Sequence, residues 1–364
     1  MKRTRDQGVA LLLALLVLVI LVIVILQMTA SSLHSRTVAE NHLSDLQNAY
    51  GARAGYARAL LFLQADSEDA PDVDTLQERW AAPIDFELGK GRVKVTIVDT
   101  ERLVNLSQLV NDKGEQVPVV CAQLKRLVKL LGYASDIADR IIDYVDADTK
   151  GEFEARARNE RLYNLEELLR IDGITPDIVY GGVVDGQPKK GLRDFVTIWP
   201  RMSPDGAVPA GAVNINTAPT EILQSMSDEL LPGLADAIVA FRTQPGNDGK
   251  PQTFQKVEDL KRVQGMSDGI FNSISAQATV KSTTFEIRVR GTMGKVEKAW
   301  VYVVQRKPGA AAGGATPPAG TPPTGAPPAG GTGAAGGAAT PAPVLIGSQA
   351  LNDIATLKPP EAQK

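Results

Sequence analysis

A cluster of five carboxylates within twelve residues is the part of the chain best suited to chemistry. Oxygen-rich groups of this kind bind calcium. The spacing is not that of an EF-hand, because Lys150 takes the fifth loop position and Ala157 the twelfth, where Glu is required. Two interpretations stay open, a calcium site and a solvated acidic helix end. The carboxylates are Asp143, Asp146, Asp148, Glu152 and Glu154.

Other residues offer little for catalysis. The two histidines, His34 and His42, fall in a predicted N-terminal helix, so no histidine-based triad or zinc set can form elsewhere. The single cysteine, Cys121, excludes an internal disulfide, and its apolar neighbours predict a buried thiol. We therefore expect a protein that is not an enzyme. A net charge of −3 gives no electrostatic basis for binding nucleic acid.

The elements that position these residues begin with a predicted membrane span. Val9–Leu26 is a run of 18 apolar residues. As a helix it spans about 27 Å, roughly one bilayer core. Three basic residues precede it, so the N-terminus is predicted to stay cytoplasmic and the remaining chain to lie outside. The run is too long for an ordinary cleaved signal peptide.

Two interpretations of this N-terminus remain. One is an uncleaved anchor. The other uses the short basic leader, residues 1–8, which ends in Gly8 and resembles the class III signals that prepilin peptidase cuts. The resemblance implies that Val9 becomes the new, methylated N-terminus and that the span remains in the mature protein.

The apolar run is predicted to continue outward as an amphipathic stalk. Residues 27–64 contain no Pro and place apolar residues at three- and four-residue steps. One helix of roughly 54 residues, about 80 Å long, resembles the layout of a type IV pilin. Pilins normally carry Glu at the fifth mature position, which is Leu13 here. The missing carboxylate resembles the minor pseudopilin K family of type II secretion.

Two predicted hairpins lie far apart in the sequence. Residues 84–99 and 285–305 alternate in polarity, whereas residues 101–280 have helical periodicity, with no further strand predicted before Thr283. An insert of this size again resembles the K family. We expect an α+β fold in which an N-terminal transmembrane helix continues into a pilin-like head, with a split antiparallel sheet and a large all-α insert. The insert helices are predicted at residues 119–131, 135–145, 164–171, 217–226, 234–242 and 257–263.

The insert contains a signature, Val213–Pro219, that resembles the Asn-x-Asn-Thr-Ala turn of the K family. Turns at Gly173, Gly233 and Gly265 resemble those of helix-hairpin-helix DNA-binding domains. The alternative is therefore a membrane-anchored DNA-uptake receptor, and a weaker one is a generic anchored scaffold.

The chemistry of these turns argues against DNA. Helix-hairpin-helix turns bind phosphate through backbone amides at a helix N-terminus. Here the second Gly is absent from each turn, and Asp177, Asp236 or Asp268 stands close by. Residues 101–280 carry 20 Lys and Arg against 26 Asp and Glu, a net charge of −6. We expect packing units and no nucleic-acid partner.

The K-family resemblance implies a place at the tip of a short pseudopilus. There the chain would join the minor pseudopilins I and J and the major pseudopilin, and help to start assembly for export across the outer membrane. The span would lie in the inner membrane of a Gram-negative bacterium, with the head in the periplasm. Leu13 suits the tip, where no subunit further out needs a carboxylate for its amine. The resemblance also implies calcium in an acidic loop that ends near Asn159, although this loop is shorter here.

The C-terminal residues have a different composition. Residues 308–343 consist of Ala, Gly, Pro and Thr, which predicts a flexible linker. We expect the whole tail to be disordered, either as a tether for a partner or as a dispensable end. The predicted units are the leader 1–8, the transmembrane and stalk helix 9–64, the first part of the head 65–100, the insert 101–280, the second part of the sheet 281–307, and the tail 308–364.

Overall fold

The computed structural model describes residues 3–184, 186–199, 209–246, 249, 251–306 and 344–351. The helices are α1 (Arg3–Asp69), α2 (Pro118–Leu130), α3 (Asp136–Val145), α4 (Pro176–Tyr180), α5 (Thr220–Met226), α6 (Pro232–Thr243) and α7 (Asp268–Ile274). Short 3-10 helices cover Leu106–Gln108, Glu154–Arg156, Leu165–Arg170, Leu192–Asp194 and Val257–Arg262. The strands are β1 (Ile84–Leu88), β2 (Gly91–Asp99), β3 (Val104–Asn105), β4 (Gly181–Val184), β5 (Gln187–Lys190), β6 (Val196–Thr197), β7 (Val213–Asn214), β8 (Ala278–Thr279), β9 (Thr284–Met293), β10 (Val296–Gln305) and β11 (Val344–Leu351).

The first helix, α1, continues from the apolar run into the stalk without a break. It is long and apolar enough to cross a membrane, with a mean hydropathy of 3.4 in its most apolar window. The apolar side chains from Leu11 to Leu26 are exposed, whereas Ala52, Ala59 and Leu63 are buried against the head. The helix ends at Asp69, slightly beyond the predicted residue 64.

The head is a five-stranded antiparallel sheet in the order β1-β2-β9-β10-β11. Strands β2 and β9 pair with Val95 opposite Val289, so the sheet joins segments on either side of the insert. The predicted α+β fold with a split sheet is confirmed. Alternate residues of the central strands, including Val93, Val95 and Ile287, form one buried core with the stalk half of α1.

Two glycines let α1 lie close to this sheet. A Cβ at Gly55 would lie 2.8 Å from Val289 Cγ1 and 2.9 Å from Val95 Cγ2. A Cβ at Gly51 would lie 3.0 Å from Val93 Cγ2. Larger residues at these positions would push the helix away from the sheet.

The insert has its own hydrophobic core but is not wholly helical, so the all-α prediction was wrong in detail. Strands β3 and β6 pair in parallel, as do β7 and β8, and β4 and β5 form a hairpin. These strands have two to four residues, too short to leave a period of two in the sequence. The segments predicted as helices at 164–171 and 257–263 form 3-10 turns.

The expectation of a wholly disordered tail was wrong for residues 344–351. They form β11, which pairs with β10 from Val344 opposite Gln305 to Leu351 opposite Ala299. The physical reason is that β10 would otherwise leave a row of unpaired backbone groups at the sheet edge. Residues 307–343 and 352–364 lie outside the described residues, so the prediction for them stays a prediction.

Gly55 provides a test of the helix–sheet packing. We expect Gly55→Leu to destabilise the head by about 1–3 kcal/mol or more, because its side chain must displace Val95 and Val289. Urea unfolding followed by fluorescence of the buried Trp80 measures this change. The matched control is Ala57→Leu, at an exposed position of the same helix. Equal stability of the two variants would contradict the packing described here.

Candidate metal centre and the junction of head and insert

Three of the predicted carboxylates come together at the C-terminal end of α3. Oxygens of Asp143, Asp146 and Glu154 all lie within 4.8 Å of one another. Helix α3 supplies Asp143 from its last turn, Asp146 is the residue that ends it, and Glu154 opens the next 3-10 helix. Asp143 and Asp146 are buried, the latter to 2% exposure.

Two oxygens of this cluster, and one of a neighbouring residue, have no hydrogen-bond partner within the described part of the chain. They are Asp146 Oδ1, Glu154 Oε2 and Asn159 Oδ1. Asn159 follows the loop with a left-handed backbone, φ 58°, and its N–H donates to Tyr144 O between the two aspartates. Its amide Nδ2 donates to Asp148 O at 3.2 Å. Buried oxygens without a donor are costly, so the arrangement fits a bound cation.

Two other oxygens of the cluster accept hydrogen bonds from neutral donors. Gln116 Nε2 donates to Asp146 Oδ2 at 2.6 Å, and the N–H of Phe153 donates to Asp143 Oδ2 at 3.0 Å. A Cβ at Gly151 would clash with the Asp143 carboxylate, so a larger residue there would displace that side chain. These contacts fix the carboxylates without supplying a positive charge.

The electrostatics of the cluster also favour a cation. Burial raises the pKa of Asp146, and the charges of Asp148, Glu154 and Asp143 raise it further, against a lowering by the Gln116 hydrogen bond. A divalent cation would offset both effects. All the available ligand atoms are carboxylate or amide oxygens, the set that calcium prefers over transition metals.

Not every predicted residue joins the cluster. Asp148 and Glu152 are exposed and lie outside the group of three. Asp148 instead accepts the N–H of Lys150 and shapes the turn. Sequence reasoning missed Gln116, which precedes α2, because nothing in its local sequence links it to Asp146.

A second polar centre joins the head to the insert at Asp99, the last residue of β2. The fully buried Asp99 Oδ2 accepts hydrogen bonds from Thr217 Oγ1 at 2.5 Å, Ser282 Oγ at 2.7 Å and Asn214 Nδ2 at 3.3 Å. Its other oxygen accepts the N–H of Glu101 at 2.8 Å. The signature Val213–Pro219 therefore contacts the end of the head sheet.

The neighbouring carboxylates close the same junction. Glu101 accepts hydrogen bonds from Thr283 Oγ1 at 2.6 Å and from the N–H of Thr283 at 2.7 Å. Arg306 Nη2 lies between Asp66 and Asp74, at 3.0 Å and 2.5 Å from their oxygens. At the other end of the insert, the N–H of Asp74 donates to Val280 O at 2.9 Å, so both ends of the insert are bonded to the head.

The signature also organises the interior of the insert. Asn216 exchanges two hydrogen bonds with the backbone of Phe254, at 2.9 Å and 3.0 Å. Arg242, 1% exposed, donates to Ile215 O and Ala218 O. Burial lowers the pKa of Arg242 to about 9, with a further contribution from the charge of Arg102. These bonds occupy the polar atoms of the signature within the protein.

Gly173 and Gly265 lie in turns that precede α4 and α7, whereas Gly233, predicted as a turn, lies in the first turn of α6. Gly173 and Gly265 have positive φ, 87° and 93°, as a tight turn requires. At the third turn Lys261 Nζ donates to Asp268 Oδ1 at 2.8 Å, and this contact lowers the pKa of Asp268. A lysine available for phosphate is here engaged by an acid at the helix N-terminus.

The N-terminal residues assigned to processing and assembly lie along α1. Gly8 and Val9 belong to its helical backbone near the start, and Leu13 is 57% exposed one turn further on. Gly8, Val9 and Leu13 therefore lie in one continuous helix. Cleavage and methylation at Val9 stay predictions.

Comparison with known proteins supports the family resemblance seen in the sequence. The model for the type II secretion system protein K family matches residues 102–181, which include the carboxylate cluster. A protein described as type II secretion system protein K from Escherichia coli (strain K12) is 30% identical over 197 residues. Together with the sequence motifs, these matches support the assignment of this chain to the protein K family of type II secretion. The match covers 48% of the chain and 59% of the K12 protein, less than two thirds of that relative.

The K-family fold is also seen in a solved structure. A chain in the GspK–GspI–GspJ complex of enterotoxigenic Escherichia coli has a TM-score of 0.59 and 16% identity to this one. The match covers 86% of this chain and 99% of that chain, and at this identity it shows the fold alone.

The helix-hairpin-helix resemblance is supported as well. A helix-hairpin-helix motif model matches residues 208–279. ComE operon protein 1 of Bacillus subtilis (strain 168) is 31% identical over 185 residues, which are 50% of this chain and 80% of that protein. The hairpin units in this segment thus match a known motif.

The buried carboxylates of the junction predict a pH dependence. Burial raises the pKa of Asp99 to about 6 and that of Glu101 to about 8, the latter also through the charge of Asp99. In the unfolded chain, both carboxyl groups have a pKa of about 4. Their contribution to stability is therefore complete below about pH 4 and is lost as pH rises through about 6 to 8. We expect the thermal midpoint to fall between pH 5 and pH 9.

Two glutamine variants assign this slope to the junction. Glu101→Gln removes the titration and should flatten the fall, whereas Glu68→Gln, an exposed position near the end of α1, should not. A midpoint that rises with pH, or equal slopes in both variants, would contradict the protonation of Glu101.

Proposed function

We propose that this chain is a non-enzymatic minor pseudopilin at the tip of a type II secretion pseudopilus. The proposal rests on the position of the K-family match at residues 102–181. The match follows the first half of a sheet that packs against the stalk half of α1, and the apolar part of the same helix is long enough to cross a membrane. A membrane-anchored stalk with a compact head is the form a fibre subunit needs. The function would be to help start pseudopilus assembly for export across the outer membrane.

The features of the N-terminus support a place at the tip. Leu13 offers no carboxylate, so this subunit cannot neutralise the terminal amine of a neighbour further out. Inside a fibre such an amine would stay buried and unpaired, at a cost of several kcal/mol. The cost disappears where no subunit lies further out. The partners would be minor pseudopilins I and J, then the major pseudopilin, with the span in the inner membrane and the head in the periplasm.

The first test is the N-terminal mass of the chain extracted from membranes made with and without a prepilin peptidase. We expect a mature chain that begins at Val9, carries one added methyl group and forms only with the peptidase. Gly8→Leu should block cleavage, whereas Gln7→Leu, one residue earlier, should not. Co-purification of I and J from the same membranes then distinguishes the tip subunit from a generic anchored scaffold. An intact Met1 in both strains contradicts the pseudopilin role.

We also propose that the carboxylate cluster binds calcium. Asp143, Asp146 and Glu154 would supply the charged oxygens, and Asn159 Oδ1 is available to complete them. A bound ion would tie the loop after α3 to the helix itself. Its role would be structural, stabilising the insert in the calcium-containing extracytoplasmic space.

Calcium titration of the full chain in detergent tests this site. At a calcium concentration 100 times the Kd, we expect a stabilisation of about 2.7 kcal/mol, seen as a higher thermal midpoint. Asp146→Asn should lose this shift, whereas Asp148→Asn, at an exposed position outside the cluster, should keep it. An equal calcium effect in both variants, or none in the wild type, contradicts the site.

The second candidate function is a membrane-anchored DNA receptor, which the helix-hairpin-helix match at residues 208–279 favours. Against it stand the acid excess of the insert and the Lys261–Asp268 pair at one turn. Fluorescence anisotropy with labelled duplex DNA at low salt separates the two functions. Salt-dependent binding that weakens in Lys261→Ala would favour the receptor, and no binding favours the pseudopilin.

A further inference from the structure

The head sheet would have two differently protected edges without β11. The β1 edge is five residues long and carries Asp85 and Glu87, features that discourage pairing with another chain. The β10 edge is ten residues long, and its stretch Ala299–Gln305 contains no charge, Pro or Gly. Uncharged runs of β-branched and aromatic residues on an edge strand favour pairing between chains.

Strand β11 covers this uncharged stretch and nothing more of β10. The Cα partners run from Ala299 opposite Leu351 to Gln305 opposite Val344. The charged residues Glu297 and Lys298 lie outside the pairing. The extent of β11 therefore matches the part of β10 that is open to pairing with another chain.

The outer side of β11 is less suited to pairing than β10. The register shifts between Val303 and Val304, whose partners are Gly347 and Leu345, so Ile346 is an extra residue in β11. A bulge of this kind bends an edge strand and interrupts its row of backbone donors and acceptors. Adding β11 thus replaces an edge favourable for pairing by an irregular one.

The connection to β11 is much longer than the geometry requires. Gln305 and Val344 lie opposite each other on adjacent strands, where a hairpin loop of about two to five residues would suffice. Residues 306–343 make this connection instead. The entropy cost of closing a loop grows only with the logarithm of its length, so β11 keeps a high effective concentration at the edge.

We propose that β11 caps the β10 edge and thereby prevents the head from pairing with a second copy of this chain. Without the cap, two β10 strands would pair antiparallel about a two-fold axis near Tyr302, and the remaining four strands of each head would form one eight-stranded sheet. The proposal goes beyond the proposed function and does not depend on it, because it concerns only the head sheet.

Sedimentation of the full chain in detergent micelles tests the cap over a range of protein concentrations. A chain ending at Pro343 lacks β11, and a chain ending at Leu351 is the matched control, because it keeps the strand. We expect the first to show about twice the protein mass per complex at high concentration, and the second to behave as the wild type. An excess of a peptide with the sequence of residues 344–351 should return the dimer to a monomer, and a scrambled peptide should not.

Hydrogen exchange locates the contact between the two chains, and a point variant replaces the truncation if the truncated head does not fold. The amides of Ala299–Gln305 should be protected in the wild type and in the dimer, and less protected in dilute truncated chain. If truncation unfolds the head, Ser348→Pro in the full chain removes a donor from β11 and should give the same dimer. The proposal is overturned if folded chains without β11 stay monomeric, if the wild type is already the same dimer, or if the scrambled peptide acts equally.

Discussion

The junction between the head and the insert depends on one buried carboxylate, Asp99, and on the hydrogen-bond donors around it. Asp99 ends β2, Thr217 and Asn214 belong to the signature turn, and Ser282 precedes β9. Three donors on one oxygen offset much of the cost of burying the charge. Losing any one of these side chains would leave the carboxylate undersolvated at the point where both chain crossings between head and insert meet. The signature turn therefore helps to fix the position of the insert on the head sheet, although it is only seven residues long.

The other charges near the junction follow from the same constraint. Among the described residues, Arg306 is the single cation between Asp66 and Asp74. Burial raises the pKa of Asp66 to about 8, and the charge of Glu78 contributes to the increase. A site that buries several carboxylates around one arginine is stable when one of them keeps its proton. The carboxylate cluster at the end of α3 has no such arginine contact in the described chain, and its Asp146 and Glu154 each keep an oxygen without a donor. The two acidic groups therefore differ in kind, since one is neutralised from within and the other fits an external cation.

Much of this arrangement could be predicted from the sequence. The unbroken apolar run, the hairpins around residues 84–99 and 285–305, and the major helices α2, α3 and α6 are long enough to show their period. The close spacing of Asp143, Asp146 and Glu154 reflects one helix end, so local sequence was sufficient. Gln116 and Arg306 could not be predicted, because each meets its carboxylate through tertiary folding. Strand β11 was missed because its eight residues gain stability only from an existing sheet edge.

The hairpin units show why a motif and a function must be argued separately. The turn at Gly265 keeps the positive φ that the motif needs, yet its helix begins with an aspartate paired to Lys261. Arg242, on the helix of another such unit, donates its hydrogen bonds to carbonyls of the signature and is buried from solvent. The backbone geometry of the turn at Gly265 is thus that of the motif, whereas Arg242 is buried and Lys261 is paired with Asp268. A phosphate would have to displace these contacts and meet an acidic surface, whereas a protein interior only needs the compact packing that the hairpins provide.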